Sequence, residues 1–390
     1  MGAKVYHFDW INDFAAAKNY AIDHATGDWI AFLDADEYFT EEDTKKLIKI
    51  LRNIEDNPEY RKAKTGIICP WIQIDDQGNP FLSLTQIRVF RNTSEIRYKG
   101  SIHEALTLNQ PLFNAPELSI MHTGYSKTAY ADTGKATRNI ELIKKELEKN
   151  PENAILKCYL ADSLCISGPD QDLVLAEALY REALSSGQPI LGQLKQGAYN
   201  GLIVKYFDDE DSKNDNFEMC RKAHEEFPEN PDFCYYYGTK LHNNGDFKSA
   251  WEKLIACENL LKGSSIEMGS YIIKNPMSLF FQLVLTAEEL DDVPEIIRCA
   301  TLVLKEDKYQ PKILAPYIQA FNRPGYETSS DDILALLSKI YDYNNTKDKI
   351  EVMRGARNAG NLEILGKILS YFTSEELGWL TADMEPGVTN

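Results

Sequence analysis

Residues 29–37 read Trp-Ile-Ala-Phe-Leu-Asp-Ala-Asp-Glu, five apolar residues followed by a group of acids. An apolar run that follows the turn signal Gly27-Asp28 predicts a buried strand of a parallel sheet. Because side chains alternate along a strand, Asp34 and Asp36 are expected to project to the same side at its end. Two carboxylates within reach of one point suit a divalent cation that holds phosphate oxygens. An acidic chain also contains Asp-x-Asp by chance, so the position at the carboxyl end of a strand is what favours a ligand site.

The composition is that of an acidic globular protein. The chain has 390 residues, with 60 Asp and Glu against 42 Lys and Arg, and a formal net charge of −18. Its length suffices for two or three domains with their own cores. The charge argues against nucleic acid or an anionic membrane surface as the main partner, since both require clustered Lys and Arg. A phosphate-bearing substrate therefore needs a local cation, which a bound metal would supply.

The cysteines and the hydropathy predict a cytoplasmic location. The seven cysteines are scattered, odd in number and never in C-x-x-C spacing. This pattern indicates reduced thiols in a cytosolic protein rather than a disulfide or zinc framework. Because no apolar run reaches membrane-spanning length, membrane insertion is not expected.

The first 130 residues alternate helix and strand signals around the opening stretch. Short apolar runs predict further strands at 4–8, 66–74, 82–90 and 118–121. The turn at 75–80 joins two of them into a hairpin. Asn12-Asp13 and Thr40 offer N-caps for two helices. The order of elements predicts an α/β domain whose polar residues gather at strand ends.

The remainder of the chain predicts helices with little strand signal. Small and apolar residues between Cys234 and Cys257 fall on the spacing of a tetratricopeptide repeat, with a turn at Gly245-Asp246. Residues 160–183 repeat this spacing, and the turn Ala359-Gly360-Asn361 suggests a later copy. Each such hairpin buries its core only by stacking on its neighbours. The sequence thus predicts an α/β part followed by an all-α helical-hairpin solenoid.

Several motifs together resemble the family-2 glycosyltransferases of GT-A fold, a Rossmann-like fold. They are Asn-Asp-Phe-Ala-Ala-Ala-Lys-Asn at 12–19, the stretch at 27–36, Arg-x-Phe-Arg at 88–91, His103-Glu104 and His-x-Gly-Tyr at 122–125. The chain is most similar to the bacterial group that carries tetratricopeptide repeats behind the transferase domain. One departure is Lys18, where Arg is the common residue. Lysine keeps the charge but loses bidentate recognition of phosphate.

The resemblance implies three regions and a reaction. Residues 1–132 are expected to be the C-terminal part of a transferase domain, 133–150 a connecting helix, and 151–390 a repeat domain that folds independently. The implied reaction moves a sugar from a nucleoside-diphosphate sugar, with UDP-sugar favoured, to a protein, peptide or glycan acceptor by inverting displacement. Mn²⁺ or Mg²⁺ is the implied cofactor. The alternative is a non-catalytic protein-binding module of helical repeats with a remnant transferase domain.

The resemblance also implies a metal site. Asp36 is expected to be a ligand of the divalent ion, and His122 a further ligand from the far end of the domain. Asp34 either shares the ion or binds the ribose of the nucleotide. The structural alternative for His122 is a strand-end histidine bonded to the backbone.

A second group of residues is expected to bind the nucleotide and deprotonate the acceptor. Lys18 and Arg88 are the candidates for nucleotide contact. Glu104 is the candidate general base, because direct displacement at the sugar carbon needs a carboxylate on the acceptor side. His103 either orients Glu104 or simply packs, and the structural alternative for Glu104 is a solvated loop acid.

The start of the chain predicts an incomplete nucleotide site. Members of the family open with two strands and an Asp-x-x-Ser-Thr-Asp turn that hold the base and ribose, whereas residues 1–5 already resemble the third strand. The N-terminal nucleotide-binding half, about 60–80 residues, is therefore expected to be absent. The strand at 29–37 is then an exposed edge, and residues 1–390 alone are not expected to bind UDP measurably.

Overall fold

The computed structural model describes residues 2–63, 65–108, 112–124, 135–167, 170–205, 207, 213–262 and 270–382. Within these ranges the chain forms eight strands and eighteen helices. The strands are β1 (Trp29–Ala31), β2 (Glu37–Tyr38), β3 (Gly66–Ile74), β4 (Pro80–Arg91), β5 (Tyr98–Lys99), β6 (Ala105–Leu106), β7 (Phe113–Asn114) and β8 (Ile120–His122). Tyr125, part of the His-x-Gly-Tyr motif, lies outside the described residues.

The first helices lie among the strands, and the others follow β8. The helices are α1 (Phe14–Asp23), α2 (Glu41–Asp56), α3 (Pro58–Ala63), α4 (Lys135–Lys149), α5 (Ala154–Ser167), α6 (Asp170–Ser185), α7 (Gly192–Lys205), α8 (Lys213–Glu226), α9 (Pro231–Asn243), α10 (Phe247–Lys262), α11 (Tyr271–Lys274), α12 (Pro276–Glu289), α13 (Val293–Glu306), α14 (Pro311–Ala320), α15 (Ser330–Leu337), α16 (Thr346–Asn358), α17 (Leu362–Leu369) and α18 (Ser374–Ala382). The predicted fold class, an α/β part followed by an all-α part, is confirmed. None of the helices in the described ranges combines the length and apolarity of a membrane span.

The main sheet of the described residues is mixed rather than parallel. Its strands lie in the order β1-β4-β3-β8-β2, with β7 also paired to β3. Strands β3 and β4 form the predicted antiparallel hairpin, and β1 pairs antiparallel with β4 at the edge of the sheet. Only β7 and β8, among the described strands, run parallel to β3. The edge position of β1 is as expected, but the expected parallel pairing is wrong, because an apolar run reports burial and not the direction of its neighbour.

Helices cover both faces of this sheet. Leu47, Ile50 and Ile54 of α2 pack on one cluster of sheet residues, which includes Val89. Ala15 and Ile22 of α1 belong to a second cluster, which includes Phe90, the next residue of β4. Because successive strand residues point to opposite faces, α1 and α2 lie on opposite sides of the sheet.

The helix starts that the sequence predicts are confirmed. Asp13 caps α1 by accepting a hydrogen bond from the Ala16 N–H at 2.9 Å. Thr40 caps α2 by accepting one from the Asp43 N–H at 3.1 Å. Both caps satisfy N–H groups that have no partner within the helix.

Residues 4–8 do not form the predicted strand. Residues 2–11 are neither helix nor strand, and their aromatic side chains pack on α1 instead. Tyr6 contacts His24 with ring centroids 4.0 Å apart, and Trp10 contacts Phe14 at 4.8 Å. The alternating aromatic pattern therefore serves packing of side chains on a helix rather than pairing of backbones.

Three turns of the described helical part share one construction. A residue with positive φ ends the first helix, and the following side chain caps the second helix, at Gly245-Asp246, Asp291-Asp292 and Gly360-Asn361. In each turn the N–H of the capping residue bonds the carbonyl five residues earlier, at 3.0, 2.9 and 3.0 Å. Such bonds satisfy carbonyls at a helix end. The first and third turns were expected from the sequence, whereas the second has Asp in place of Gly.

By contacts the chain divides into two compact units, one of residues 1–208 with 267–269 and one of the rest of 209–390. Helices α4 to α7 belong to the first unit together with the sheet. The region boundaries at 132 and 150 stay a prediction.

Candidate functional site

Four of the six expected site residues belong to one connected network of ion pairs. Lys18 Nζ lies 2.7 Å from Glu104 Oε1 and 3.0 Å from Asp34 Oδ1. Arg88 Nη2 lies 3.3 Å from Asp34 Oδ2 and 2.6 Å from Glu37 Oε1. The charges alternate along the network in the order Glu104, Lys18, Asp34, Arg88, Glu37. We refer to these five residues as the ion-pair network.

Helix α1 brings Lys18 to the network. The side-chain amide of the next residue, Asn19, accepts from the Tyr98 N–H at 2.8 Å and donates to the Tyr98 carbonyl at 3.0 Å. This pair of bonds fixes α1 beside β5. Lys18 Nζ consequently lies 5.2 Å from the ring centroid of Phe32 and 5.2 Å from that of Tyr98. Asn19, the last residue of the motif at 12–19, thus has a structural role.

Asp34 and Asp36 lie in a turn and not at the end of a strand. Strand β1 ends at Ala31, and the Glu37 N–H bonds the Asp34 carbonyl at 2.9 Å across the turn. The two aspartates therefore face different partners, Asp34 the cations of the ion-pair network and Asp36 the imidazole of His122. The expectation that strand alternation would place both on one side is wrong, since the strand has already ended.

Glu37, which the sequence suggested only as the second choice of base after Glu104, is the fifth member of the network. Its side chain is 0% exposed and accepts hydrogen bonds from Arg88 Nε at 2.9 Å and from the Asp34 N–H at 3.1 Å. A buried carboxylate with several donors is fixed in place. The signal for it was an acid directly after Asp-Ala-Asp. Because Arg88 is engaged with Glu37 and Asp34, its contact with a nucleotide stays a prediction.

Asp36 and His122 form a pair next to the network. Strand β2 pairs with β8 so that Glu37 lies opposite His122, which brings His122 Nε2 to 3.5 Å from Asp36 Oδ2. His122 Nδ1 lies 2.5 Å from Oε1 of the buried Gln73. With this orientation of the amide, Nδ1 carries a proton that it donates to Gln73, and Nε2 is the ring nitrogen that faces Asp36. Gln73 was missed, although a glutamine within an apolar strand was an available signal.

Gly124 leaves the space beside this pair open. A Cβ at this position would lie 2.2 Å from Asp36 Oδ2 and 2.7 Å from His122 Nε2. Real Cβ atoms essentially never approach another atom to less than 3.0 Å, so every larger residue would displace the pair. Glycine therefore avoids a clash at the point where the two polar side chains meet.

The residues present fit a divalent ion that takes two ligands from the protein and the rest from a bound phosphate and water. In the part of the chain that the structure describes, no group of three or more His, Cys, Asp and Glu side chains is placed to hold a metal. The expected set of Asp34, Asp36 and His122 is thus not assembled as one group, because Asp34 is engaged with cations. Asp36 and His122 remain as one carboxylate and one imidazole. Ions that hold phosphates commonly take few protein ligands and complete their shell with phosphate oxygens and water.

The charge of the site points the same way. Among the described residues discussed above, the four carboxylates of Asp34, Asp36, Glu37 and Glu104 stand against the two cations Lys18 and Arg88. This excess of two negative charges would repel a diphosphate. A divalent cation between Asp36 and His122 would balance it.

The other motif residues have structural partners. His103 stacks on Tyr159, with ring centroids 3.6 Å apart and planes 2° from parallel. Arg91 pairs with Glu55 at 2.7 Å. The guanidinium of Arg138 lies 5.1 Å from the ring centroid of Phe14.

Known proteins are similar to parts of the chain. Residues 1–101 match the family described as glycosyl transferase family 2. A TPR repeat-containing protein of Synechococcus elongatus is 33% identical over 200 residues, 48% of this chain and 46% of that protein. The SPbeta prophage-derived glycosyltransferase SunS of Bacillus subtilis is 29% identical over 168 residues, 42% of this chain and 38% of that protein. The chain thus matches less than half the length of these curated relatives.

The solved structure of Pseudomonas aeruginosa pilF covers 64% of this chain and 97% of its own, with 13% identity. Its TM-score of 0.33 is too low to carry an argument about this chain.

Proposed function

We propose that this chain, which carries a family-2 glycosyltransferase domain at its amino terminus, transfers a sugar. The donor is a nucleoside-diphosphate sugar, with UDP-sugar favoured, and the acceptor is a protein, peptide or glycan. Transfer proceeds by metal-dependent inverting displacement. The observation that carries the proposal is the convergence of Lys18, Asp34, Arg88 and Glu104 in one network beside the Asp36–His122 pair.

Asp36 and His122 Nε2 are the proposed ligands of Mn²⁺ or Mg²⁺. When bound, the ion acts as a Lewis acid toward the departing diphosphate. Gln73 holds the tautomer of His122 in which Nε2 can bind a metal. Gly124 keeps the position between the two ligands accessible.

Lys18 and Asp34 are the proposed nucleotide contacts. Lys18 Nζ lies between two carboxylates, so a diphosphate that approaches it competes with Asp34 and Glu104 for the same cation. Asp34 has oxygens suited to the ribose hydroxyls. Arg88 contributes by holding Asp34 in place, since its guanidinium bonds both Asp34 and the buried Glu37.

Glu104 is the proposed general base. Its Oε1 lies 2.7 Å from Lys18 Nζ, and a carboxylate oxygen in such a site can accept a proton from the acceptor. The acceptor loses its proton to a Glu104 oxygen while the acceptor atom bonds the anomeric carbon and the diphosphate leaves with the bonding electrons. This step inverts the configuration at that carbon.

The metal site is tested by calorimetric titration of the full chain with Mn²⁺. Asp36→Ala is expected to weaken Mn²⁺ binding at least ~10-fold, because it removes a ligand. Asp9→Ala is the matched control. Asp9 also pairs with a histidine, His7, at 3.0 Å, but its side chain is 94% exposed and does not belong to the ion-pair network. Parent-like affinity in Asp36→Ala would overturn the proposed metal site.

Glu104→Gln tests the base. Where the parent protein transfers or hydrolyses a donor, the variant is expected to keep the affinity for Mn²⁺ and nucleotide and to lower turnover ~10²–10⁴-fold. Mass spectrometry of a panel of nucleotide sugars, incubated with the protein and Mn²⁺ or Mg²⁺, measures transfer or slow hydrolysis. Turnover at the parent rate would assign the role to another carboxylate.

A second candidate function is a non-catalytic protein-binding module. The observation in its favour is that Lys18 and Arg88 are already paired with carboxylates, which leaves the diphosphate no unengaged cation among these two. In both candidate functions the helical hairpins hold a protein or peptide. A parent protein that binds neither Mn²⁺ nor any nucleotide sugar, yet retains a protein partner, would favour this second candidate.

We also propose a cytoplasmic location. All seven cysteines are free in the structure, which is typical of a reducing compartment.

A further inference from the structure

The segment 100–104, which carries Glu104, has an unusual backbone. Gly100 has a φ of 101° and His103 a φ of 50°. A histidine in the left-handed region is uncommon and is less stable there than in the right-handed region. Such a conformation persists only where surrounding contacts favour it. The placement of Glu104 therefore depends on what holds the residues before it.

Contacts from α1, α4 and α5 hold this segment. The Phe14 N–H at the start of α1 donates to the Ser101 carbonyl at 2.9 Å. Ser101 Oγ donates to Glu146 Oε2 on α4 at 3.0 Å. The ring of His103 stacks on Tyr159 of α5, with centroids 3.6 Å apart and planes 2° from parallel. The stack acts on the strained residue itself, one position before Glu104.

We infer that Tyr159 is a positioning residue, which holds Glu104 against Lys18 through the stacked ring of His103. Tyr159 lies well beyond residue 101, where the match to the glycosyltransferase family ends. A helix of the all-α part thus contributes to the candidate site. The inference rests on the proposed function only for the role of Glu104 as base, because its placement against Lys18 can be measured without a substrate.

The expected size of the effect follows from the stack. An aromatic pair shifts a local equilibrium about 2- to 12-fold. Loss of the stack should therefore raise, by this factor, the population in which Glu104 has moved away from Lys18. The fold should stay intact. Lys18, whose side chain is 10% exposed and covered by Glu104 at 2.7 Å, should then become more reactive.

The test measures how fast a water-soluble acylating reagent modifies Lys18 in the full chain, read by peptide mass spectrometry. Tyr159→Leu and His103→Asn should each raise the rate at Lys18 about 2- to 12-fold. Tyr159→Phe keeps the stack and should keep the parent rate. The double variant should exceed neither single variant, because both changes remove the same contact. Lys45, 72% exposed on α2, is the reference for reagent activity.

Glu104→Ala sets the upper limit of the rate at Lys18. An unchanged rate in Tyr159→Leu and His103→Asn, or a double variant whose effect is the product of the two, would overturn the inference. If Tyr159→Leu folds poorly by circular dichroism, His103→Asn decides, because asparagine tolerates the left-handed conformation but cannot stack. Failure of the protein to bind Mn²⁺ would contradict the proposed function and leave this result unaffected.

Discussion

Gly124→Ala places one methyl group at the candidate metal site. The added Cβ would lie 2.2 Å from Asp36 Oδ2, whereas real Cβ contacts are essentially never shorter than 3.0 Å. The carboxylate must therefore move by at least about 0.8 Å. Metal–ligand distances vary by only ~0.2 Å, so a shift of this size removes Asp36 from a coordinating position.

The expected loss can be bounded. Changes to groups that support metal ligands typically weaken metal binding ~10–100-fold, and a displaced ligand is at least as severe. We therefore expect the Kd for Mn²⁺ to rise at least ~10-fold in Gly124→Ala. The fold should persist, because Gly124 does not have a positive φ and the clash falls on the Asp36 side chain, which is 33% exposed.

Calorimetric titration with Mn²⁺ at low ionic strength measures this change. Gly366→Ala is the matched control, since a Cβ at position 366 meets no atom within 4 Å. Thermal melting of the same samples separates loss of binding from loss of structure. A Kd for Gly124→Ala within twofold of the parent would refute a metal between Asp36 and His122.

Three further predictions concern the second compact unit. Gly245→Ala should lower the free energy of unfolding by ~1–2 kcal/mol, because φ at position 245 is 82° and the added Cβ meets no atom, which leaves backbone strain as the cost; an unchanged urea midpoint would contradict it. Asp291→Gly should raise that free energy by at most ~1 kcal/mol, since φ is 57° there and the loss of the ion pair with Arg323 offsets part of the gain. Hydrogen bonds from Lys349, from Thr346 and from the Thr373 N–H lower the pKa of Glu376 from 4.5 to about 2, so Glu376 stabilises the fold above pH 4.5 and this contribution is lost as the pH falls toward 2. Glu376→Gln should therefore flatten the dependence of stability on pH in that range, and an identical acid titration for both proteins would show that Glu376 does not contribute.

Signals contained in a few neighbouring residues predicted local structure well. The caps Asp13 and Thr40, the hairpin of 66–91 and the turns at Gly245 and Gly360 are all confirmed. The caps and the helix turns depend on groups within about six positions of one another, and the hairpin is set by its turn at 75–80.

The pairing of strands that are distant in the sequence could not be predicted from such local signals. The apolar run at 29–33 indicated burial but not its antiparallel neighbour β4. The aromatic residues of 4–8 have strand propensity, yet no strand among the described residues pairs with them, and their rings pack on α1. Strand propensity reports how well a side chain fits a pleated surface and does not supply a partner.

The same distinction applies to the candidate site. The residue types chosen from motifs lie together, as two adjacent groups. They divide into the ion-pair network and the Asp36–His122 pair because the chain turns at Asp34. This turn depends on the Glu37 carboxylate, which accepts a hydrogen bond from the Asp34 N–H. Gln73 and Tyr159 contact the site from β3 and α5, and only the folded chain brings those elements near it.

The alternating charges of the ion-pair network restrict how its sequence can evolve. A neutral residue at any one of the five positions leaves a neighbouring charge unbalanced, and Glu37 is fully buried. Loss of one partner of a buried pair is far more destabilising than replacement of both. Tolerated substitutions should therefore occur together at Arg88 and Glu37, and together at Lys18 and Glu104. Asp34, which contacts both cations, should change least. Among descendants of this chain, the network would vary by covarying pairs and seldom by single substitutions.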